Sequence, residues 1–307
     1  MSSIYGPMVL IANRRAGRGS VAKALPEVED HLRKRHLEYE VRYTEGRGHA
    51  TEIARESIAA GKRFLVAVGG DGTIHEVVNG MIVDDRTVGD DQPVLGVIGA
   101  GTGCDFIRTF GIPGMPGHAV SHLDGPESFP IDLGKVTYSA ADGPAIRYFA
   151  NIAEAGLGAA TIARSEKLPR FLGPTLYMFA FWLTLRRHRS YQAQVDLVDR
   201  SWEGKLNNLV VANCQFFGGG MKIAPKAAPT DGLLDVLIEH ARKREAIALL
   251  PKIYKGEHLP HPDFELFKRV KVTVTADRPL PVEADGELLG ETPATFEVLK
   301  EAILIKV

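Results

Sequence analysis

Five consecutive apolar residues, Phe64-Leu65-Val66-Ala67-Val68, run directly into Gly69-Gly70-Asp71-Gly72-Thr73. An apolar run of that length, closed by turn residues, reads as a buried strand, and residues 74–80 then carry apolar spacing suited to a helix. A strand that empties through glycines into a helix constrains the chain around it to an α/β sheet. Glycines let backbone N–H groups wrap an anion, and the helix N-terminus adds partial positive charge. Phosphate suits such a loop. Asp71 is the unusual member, because a carboxylate beside bound phosphates needs a metal ion or a proton to offset repulsion. The segment therefore points to a nucleoside triphosphate with magnesium and to phosphoryl transfer. Gly-Gly and Asp-Gly also serve plain chain reversal, and the loop matches neither G-x-x-x-x-G-K-S/T nor G-x-G-x-x-G.

The rest of the first part repeats the alternation. Strands are expected at 8–13, 39–43, 64–68 and 94–98, with helices at 21–35 and 50–60, which argues for a parallel sheet. In such sheets ligands sit beyond the carboxyl ends of the strands. The polar segments 13–20, 69–73 and 99–102 all follow strands and should converge there. After about residue 125 the texture changes to strands at 129–136, 147–152, 193–198, 208–212, 233–239, 269–275 and 294–298. Helices are expected only near 174–187 and 242–255. At 307 residues, two domains are expected: an α/β domain over 1–127 and a β-sandwich over 128–307, whose last strand, near 303–307, could return to the first.

Composition removes several classes. A net charge of −1 gives no overall pull toward nucleic acid. Cys104 and Cys214 have no metal-ligand spacing and suit a reducing cytosol. No signal peptide is expected from the first residues. The longest apolar stretch, 171–185, is interrupted by Gly173, Pro174, Thr175 and Thr184 and falls short of the roughly 20 residues that span a bilayer.

Three further segments have phosphate-site character. Asn13-Arg14-Arg15-Ala16-Gly17-Arg18-Gly19-Ser20 ends a strand with small residues and three guanidinium groups; the alternative is a solvated basic loop. Thr44-Glu45-Gly46-Arg47-Gly48-His49 offers a hydroxyl after the second strand, with His49 read as a helix-start residue. Gly99-Ala100-Gly101-Thr102-Gly103-Cys104-Asp105-Phe106 joins Gly/Thr donors to a second carboxylate.

These runs are similar to the bacterial diacylglycerol kinase family, the lipid kinase group that also contains sphingosine and ceramide kinases. The resemblance is carried by Val68 to Thr73 with Glu76, Val77, Asn79 and Gly80, and by Gly101 to Arg108 followed by Gly111-Ile112-Pro113. In the second half it is carried by Asn213, Phe217-Gly218-Gly219-Gly220-Met221, Pro225, Asp231-Gly232-Leu233-Leu234-Asp235 and Asp285-Gly286-Glu287. It implies a Rossmann-like nucleotide-binding domain joined to a β-sandwich domain, with the active site in the interdomain cleft. It implies ATP contacts from Asn13, Thr44, Gly69, Gly70, Asp71, Gly72, Thr73, Glu76, Gly101 and Thr102. Glu287 would be the general base for the acceptor hydroxyl. Asp71, Asp105 and Asp132 would organise catalytic Mg2+ and water. A structural Mg2+ would lie at Asp231 with main-chain oxygens of Ala228 and Leu233. Diacylglycerol would be the acceptor, giving phosphatidic acid for phospholipid biosynthesis. The chain departs from the usual family pattern at Cys104 (usually Asn), at Gly99 and Arg14 (usually Pro), and at Gly156-Leu157-Gly158, where many members read Gly-x-Asp.

The residue chemistry agrees with this picture. A carboxylate that accepts the proton of an attacking alcohol helps a weak nucleophile, and scattered carboxylates around phosphate suit magnesium. The expected partners are ATP and a membrane lipid met peripherally at the inner membrane face by a cytoplasmic protein, without nucleic acid; a homodimer stays open. The apolar helix 176–183, followed by Arg186-Arg187-His188-Arg189, reads either as a flank of the lipid entry or as a core helix with a solvated basic end. Three other readings stay open. One is a sphingoid- or ceramide-type lipid kinase. Another is an NAD kinase-like enzyme, whose family shares a Gly-Gly-Asp-Gly-Thr loop but carries an Asn-Glu motif absent here. The last is a nucleotide- or lipid-binding regulator that has lost catalysis.

Overall fold

The computed structural model describes residues 3–89, 91–99, 104–114, 120–169 and 176–307. The chain divides into two units, Met1–Leu133 with Leu299–Val307, and Gly134–Val298.

In the first unit the near-continuous apolar runs become parallel strands buried on both faces. These are β1 (Met8–Ala12), β3 (Phe64–Gly69) and β6 (Val94–Gly99), every residue of which is buried. With β2 (Tyr39–Tyr43) they form the order β6-β3-β1-β2, all parallel. Helix α1 (Ser20–Lys34) turns Val21, Leu25, Val28 and Leu32 onto the strand face that carries Met8, Leu10, Val66 and Val68. Helices α2 (His49–Ala59) and α3 (Asp71–Met81) pack together through Gly80, where a Cβ would stand 2.4 Å from the Thr51 carbonyl oxygen. A short hairpin, β4 (Ile82–Val83) with β5 (Arg86–Thr87), precedes β6; α4 (Asp105–Phe110) and α5 (Ser121–Asp124) follow it. The chain's final residues complete this sheet. Leu304 and Ile305 pair parallel to Val94 and Leu95 of β6, and the buried Lys306 ammonium donates to the carbonyls of Gly125 and Glu127.

The second unit is antiparallel. Strands β7 (Ser128–Ala140) and β17 (Glu287–Lys306) begin or end in the other unit, and the chain passes from one unit to the other inside them. Strand β8 (Gly143–Phe149) pairs with β7. One layer runs β14 (Phe264–Arg269), β13 (Leu234–Glu239), β12 (Asn208–Ala212), β9 (Ile152–Gly156), β16 (Pro281–Ala284), β17. The other runs β11 (Ser201–Leu206), β10 (Tyr191–Asp196), β15 (Lys271–Ala276), β17. Strand β12 shows why both faces are covered. Leu209 and Val211 enter the core between the layers with Val195, Val236, Val274 and Phe296. Val210 and Ala212 enter a second core with Met221, Ile223, Leu249 and Ile253, under helix α8 (Lys243–Lys255). Helices α6 (Leu157–Ser165) and α7 (Leu176–Arg187) pack on each other. No helix among the described residues is long and apolar enough to cross a membrane.

Candidate functional site

In the first unit the parallel register sets three strand ends side by side. Ala12 is level with Tyr43 and with Val68, so Asn13, Thr44 and Gly69 lie next to one another at the carboxyl edge of the sheet. Backbone hydrogen bonds pin them there, from the Asn13 amide to the Val68 carbonyl at 3.2 Å and from the Thr44 amide to the Ala12 carbonyl at 3.1 Å. The Asn13 side chain accepts from the Arg15 amide. Arg14 lays its guanidinium 5.1 Å from the centre of the Tyr43 ring.

The glycine loop leaves β3 with Gly70 extended, and α3 starts at Asp71. Gly69 must lack a side chain, because a Cβ there would lie 2.4 Å from the Thr73 hydroxyl oxygen. The Asp71 carboxylate accepts from the backbone amides of Asp105 at 3.0 Å and Phe106 at 3.1 Å. One carboxylate thus holds the start of α4, answering N–H groups that a helix cannot satisfy itself. Asp105 is buried and pairs with Arg108 at 3.2 Å. Cys104 sits at φ 48°, with its Sγ 3.5 Å from the Gly69 carbonyl oxygen. The Glu76 carboxylate accepts from the Gly48 and Ala50 amides at 2.9 and 3.0 Å, so α3 caps α2 and fixes the segment after Thr44. Asp132 is buried and accepts from the Glu301 amide at 2.8 Å. Gly101 and Thr102 lie outside the described residues. Among the described residues no three His, Cys, Asp or Glu side chains form a group that could hold a metal ion.

In the second unit the Asp-Gly-Glu motif is a hairpin turn. Asp285 and Gly286 both have positive φ, 50° and 86°, as a two-residue turn of the primed type requires. The Asp285 carboxylate accepts from the amides of Ala150, Asn151 and Ile152 at 2.9, 2.9 and 3.1 Å. Glu283 accepts from the Gly286 amide at 2.8 Å. Glu287, half-buried, opens β17 opposite Ala284. Asn151 and Asn213 bind the neighbouring loop, donating to the carbonyls of Phe216 and Ala150, each at 2.8 Å. The triple glycine 218–220 turns with φ of 58°, 84° and 104°, a conformation closed to ordinary side chains.

A pocket opens in this unit, walled by Leu157, Tyr177, Phe181, Val210, Leu250 and Ile253. Its polar side is Glu154, Asn208 and Glu239. Glu154 on β9 stands directly opposite Glu283 on β16, and both are buried. Asn208 donates to Glu154 at 2.7 Å. The Glu154 carboxyl fills the space of a missing side chain: a Cβ on Gly158 would lie 2.1 Å from its Oε2. Burial pushes the Glu154 carboxyl up to about 7, against the hydrogen bonds of Asn208 and Glu283. Glu283 is raised well above the carboxylate range by burial and by the Glu154 charge. Burial, then Glu154 and Asp263, raises Glu239 to about 8. Two facing carboxyls cannot both ionise away from water, so the pair holds a proton near neutral pH. These residues belong to none of the motifs legible in the sequence. The signal was a lone acid inside apolar strand text, Ile152-Ala153-Glu154-Ala155 and Pro281-Val282-Glu283-Ala284.

The Asp231 turn differs from the expected magnesium site. Asp231 Oδ1 accepts from the Leu233 amide at 3.0 Å, and the Ala228 carbonyl accepts from the Asp231 amide at 3.2 Å. Asp231 Oδ2 receives the Lys268 ammonium at 2.6 Å. Lys268 also reaches Asp235 at 3.0 Å. Burial would lower the Lys268 pKa, but Asp231 and Asp235 together raise it. Burial raises that of Asp235, opposed by Lys268. As arranged, these oxygens do not fit a divalent cation, since a positive charge already stands among them.

A parallel α/β unit with a glycine-rich strand-to-helix loop, followed by an antiparallel unit with an Asp-Gly-Glu hairpin, defines a kinase of the lipid kinase class. Residues 7–136 match the diacylglycerol kinase catalytic domain, and residues 151–307 match the YegS C-terminal NAD kinase beta sandwich-like domain. A diacylglycerol kinase of Staphylococcus carnosus is 27% identical over 296 residues, covering 96% of this chain and 92% of the relative. A protein of Xanthomonas oryzae named "Probable lipid kinase YegS-like" is 32% identical over 286 residues, covering 92% and 90%. The crystal structure of a diacylglycerol kinase from Bacillus anthracis superposes with a TM-score of 0.73 at 21% identity, covering 98% and 96%. The chain belongs to the diacylglycerol kinase and YegS-like lipid kinase family. Yeast NADH kinase shares the fold more distantly, with a TM-score of 0.51 at 10% identity over 97% of this chain and 78% of that one.

Proposed function

We propose that this enzyme transfers the γ-phosphate of ATP, with Mg2+, to the hydroxyl of a membrane lipid, diacylglycerol first. The observation that carries the lipid acceptor is the pocket of the second unit, walled mainly by apolar side chains with a few polar groups at one side, the lining an acyl chain with a polar head requires. The phosphate chain would lie on the amides of Gly70 to Gly72 at the α3 N-terminus, the Thr73 amide being bonded to the Gly70 carbonyl. Asp71 keeps that loop and the start of α4 in one arrangement. Magnesium brought with the nucleotide would supply charge neutralisation, and Asp71 and Asp105 are the carboxylates that would face it. The lipid hydroxyl oxygen bonds to the γ-phosphorus, the bond to the β–γ bridging oxygen breaks, ADP leaves, and Glu287 accepts the hydroxyl proton. Such a base contributes about 10²–10⁴-fold.

Helix α7 supports contact with the bilayer surface. Its Phe179 and Trp182 are 46% and 41% exposed, three residues apart, and Arg186 and Arg187 follow. Aromatic side chains beside cations suit an interface with anionic lipid. Glu154 and Glu239 at the polar side of the pocket motivate a second acceptor, a sphingoid base whose ammonium would take the place of the proton that burial holds on these carboxyls. The experiment uses γ-labelled ATP, Mg2+ and vesicles containing either diacylglycerol or sphingosine, with NAD present as a competing acceptor. Label in the lipid is expected; label passing to NAD instead refutes the assignment. Glu287→Gln should bind nucleotide normally and lose at least about 10²-fold in turnover, and near-normal turnover removes Glu287 as the base.

A further inference from the structure

Asp235 is 1% exposed, and a carboxylate so placed needs a cation or a proton. Its cation is built into the fold. The register of β13 against β14 sets Asp235 directly opposite Lys268, and the ammonium leans from there to the Asp231 turn. It bridges the two carboxylates at 2.6 and 3.0 Å and reaches the Lys226 carbonyl at 3.3 Å. The other Asp231 oxygen and the Ala228 carbonyl already accept backbone amides. A divalent ion entering here would meet the Lys268 ammonium already on Asp231 Oδ2 and Asp235, and would have to share Asp231 Oδ1 and the Ala228 carbonyl with backbone amides.

We infer that Lys268 stands in place of a structural divalent cation, tying the 228–233 turn to β13 and β14 without metal. The second unit then folds and stays folded irrespective of magnesium, whatever lipid the enzyme phosphorylates. Magnesium remains a requirement only as part of the nucleotide complex.

Thermal unfolding of the full chain without nucleotide tests this. The wild type should give the same Tm in EDTA and in about 10 mM Mg2+ or Ca2+, because no site with stabilising occupancy exists. Purified protein should carry well under one equivalent of bound divalent metal. Lys268→Met should lower Tm by roughly 3–8 °C in EDTA, since it leaves a buried carboxylate unpaired, and part of that loss should return on adding either cation. Lys268→Arg keeps the charge and should stay insensitive to metal. A wild-type Tm that climbs saturably with Mg2+, or a Lys268→Met protein indifferent to both the substitution and the cations, overturns the inference. Because the readout is unfolding, failure of the kinase assay would leave this result untouched.

Discussion

Replacing Glu154 by Gln should make the second unit more stable at pH 8 and leave it nearly unchanged in acid. Glu154 faces Glu283 from β16, Asn208 from β12 and Glu239 from β13, with Asp263 and Asp285 as the charges acting on Glu239 and Glu283. Its carboxyl is raised from 4.5 to about 7 in the folded chain. The folded pKa is therefore above the unfolded one, and the unfolded chain gives up its proton first as pH rises. The stability associated with the buried neutral carboxyl is complete below about pH 4.5, declines from there to pH 7, and stays at its lower level above. A shift of that size corresponds to about 3 kcal/mol. Gln keeps the acceptor for Asn208, offers Glu283 an N–H where the proton was, and does not titrate.

At pH 8 the variant should gain up to about 3 kcal/mol, or roughly 6–12 °C in Tm, and the gain should shrink toward pH 5. Trp182 and Trp202, the only two tryptophans, both belong to the second unit, so tryptophan fluorescence during urea unfolding reports this unit alone. Wild-type stability that is flat between pH 5 and 8 refutes the reasoning. So does a variant destabilised equally at both pH values, which would mark Glu154 as an ordinary ionised carboxylate.

Two further outcomes follow from the geometry. Gly158→Ala forces a methyl into the Glu154 carboxyl and should cost about 1–3 kcal/mol; in a Glu154→Ala background the penalty should largely vanish, and additive effects in that double-mutant cycle would deny the contact. Asp71→Asn replaces one of two acceptor oxygens with a donor facing the Asp105 or Phe106 amide and should weaken Mg·ATP binding about 10- to 100-fold by calorimetry; an unchanged Kd would show that the α4 start does not shape the nucleotide site.

The parts of this chain legible in its sequence are those specified by local pattern. Strands β1, β3 and β6 declare themselves because a strand buried on both faces has no polar alternation to confuse it. The positive-φ turns at Asp285-Gly286 and Gly218–Gly220 are visible because few residues besides glycine tolerate them. Helix α6 is not foreseen, since Leu157-Gly158-Ala159-Ala160-Thr161-Ile162 has little apolar spacing and takes its helical form by packing on α7. Strand β17 is expected as two short pieces, at 294–298 and 303–307, yet runs unbroken from Glu287 to Lys306. The polar text between those pieces is held by partners distant in sequence, Asp132 and Gln92 on the backbone of Glu301. Site residues divide the same way. Asp71 and Glu287 are marked by the glycines beside them, whereas the Glu154–Glu283 pair and the Lys268 bridge exist only through strand register.

That division separates two kinds of carboxylate in one hairpin. Of the three acids between Glu283 and Glu287, two answer backbone N–H groups that hold the turn: Asp285 takes three from the β8–β9 corner and Glu283 takes that of Gly286. Glu283 also shares its burial and its proton with Glu154, which disqualifies it as a base near neutral pH. Glu287 is the first residue of the strand that follows the turn the other two hold. A general base works by being held in one place with its proton-accepting form populated. The hairpin supplies the first condition for Glu287, the proposed base, through Asp285 and Glu283, while the burial that raises Glu283 and Glu154 rules those two out.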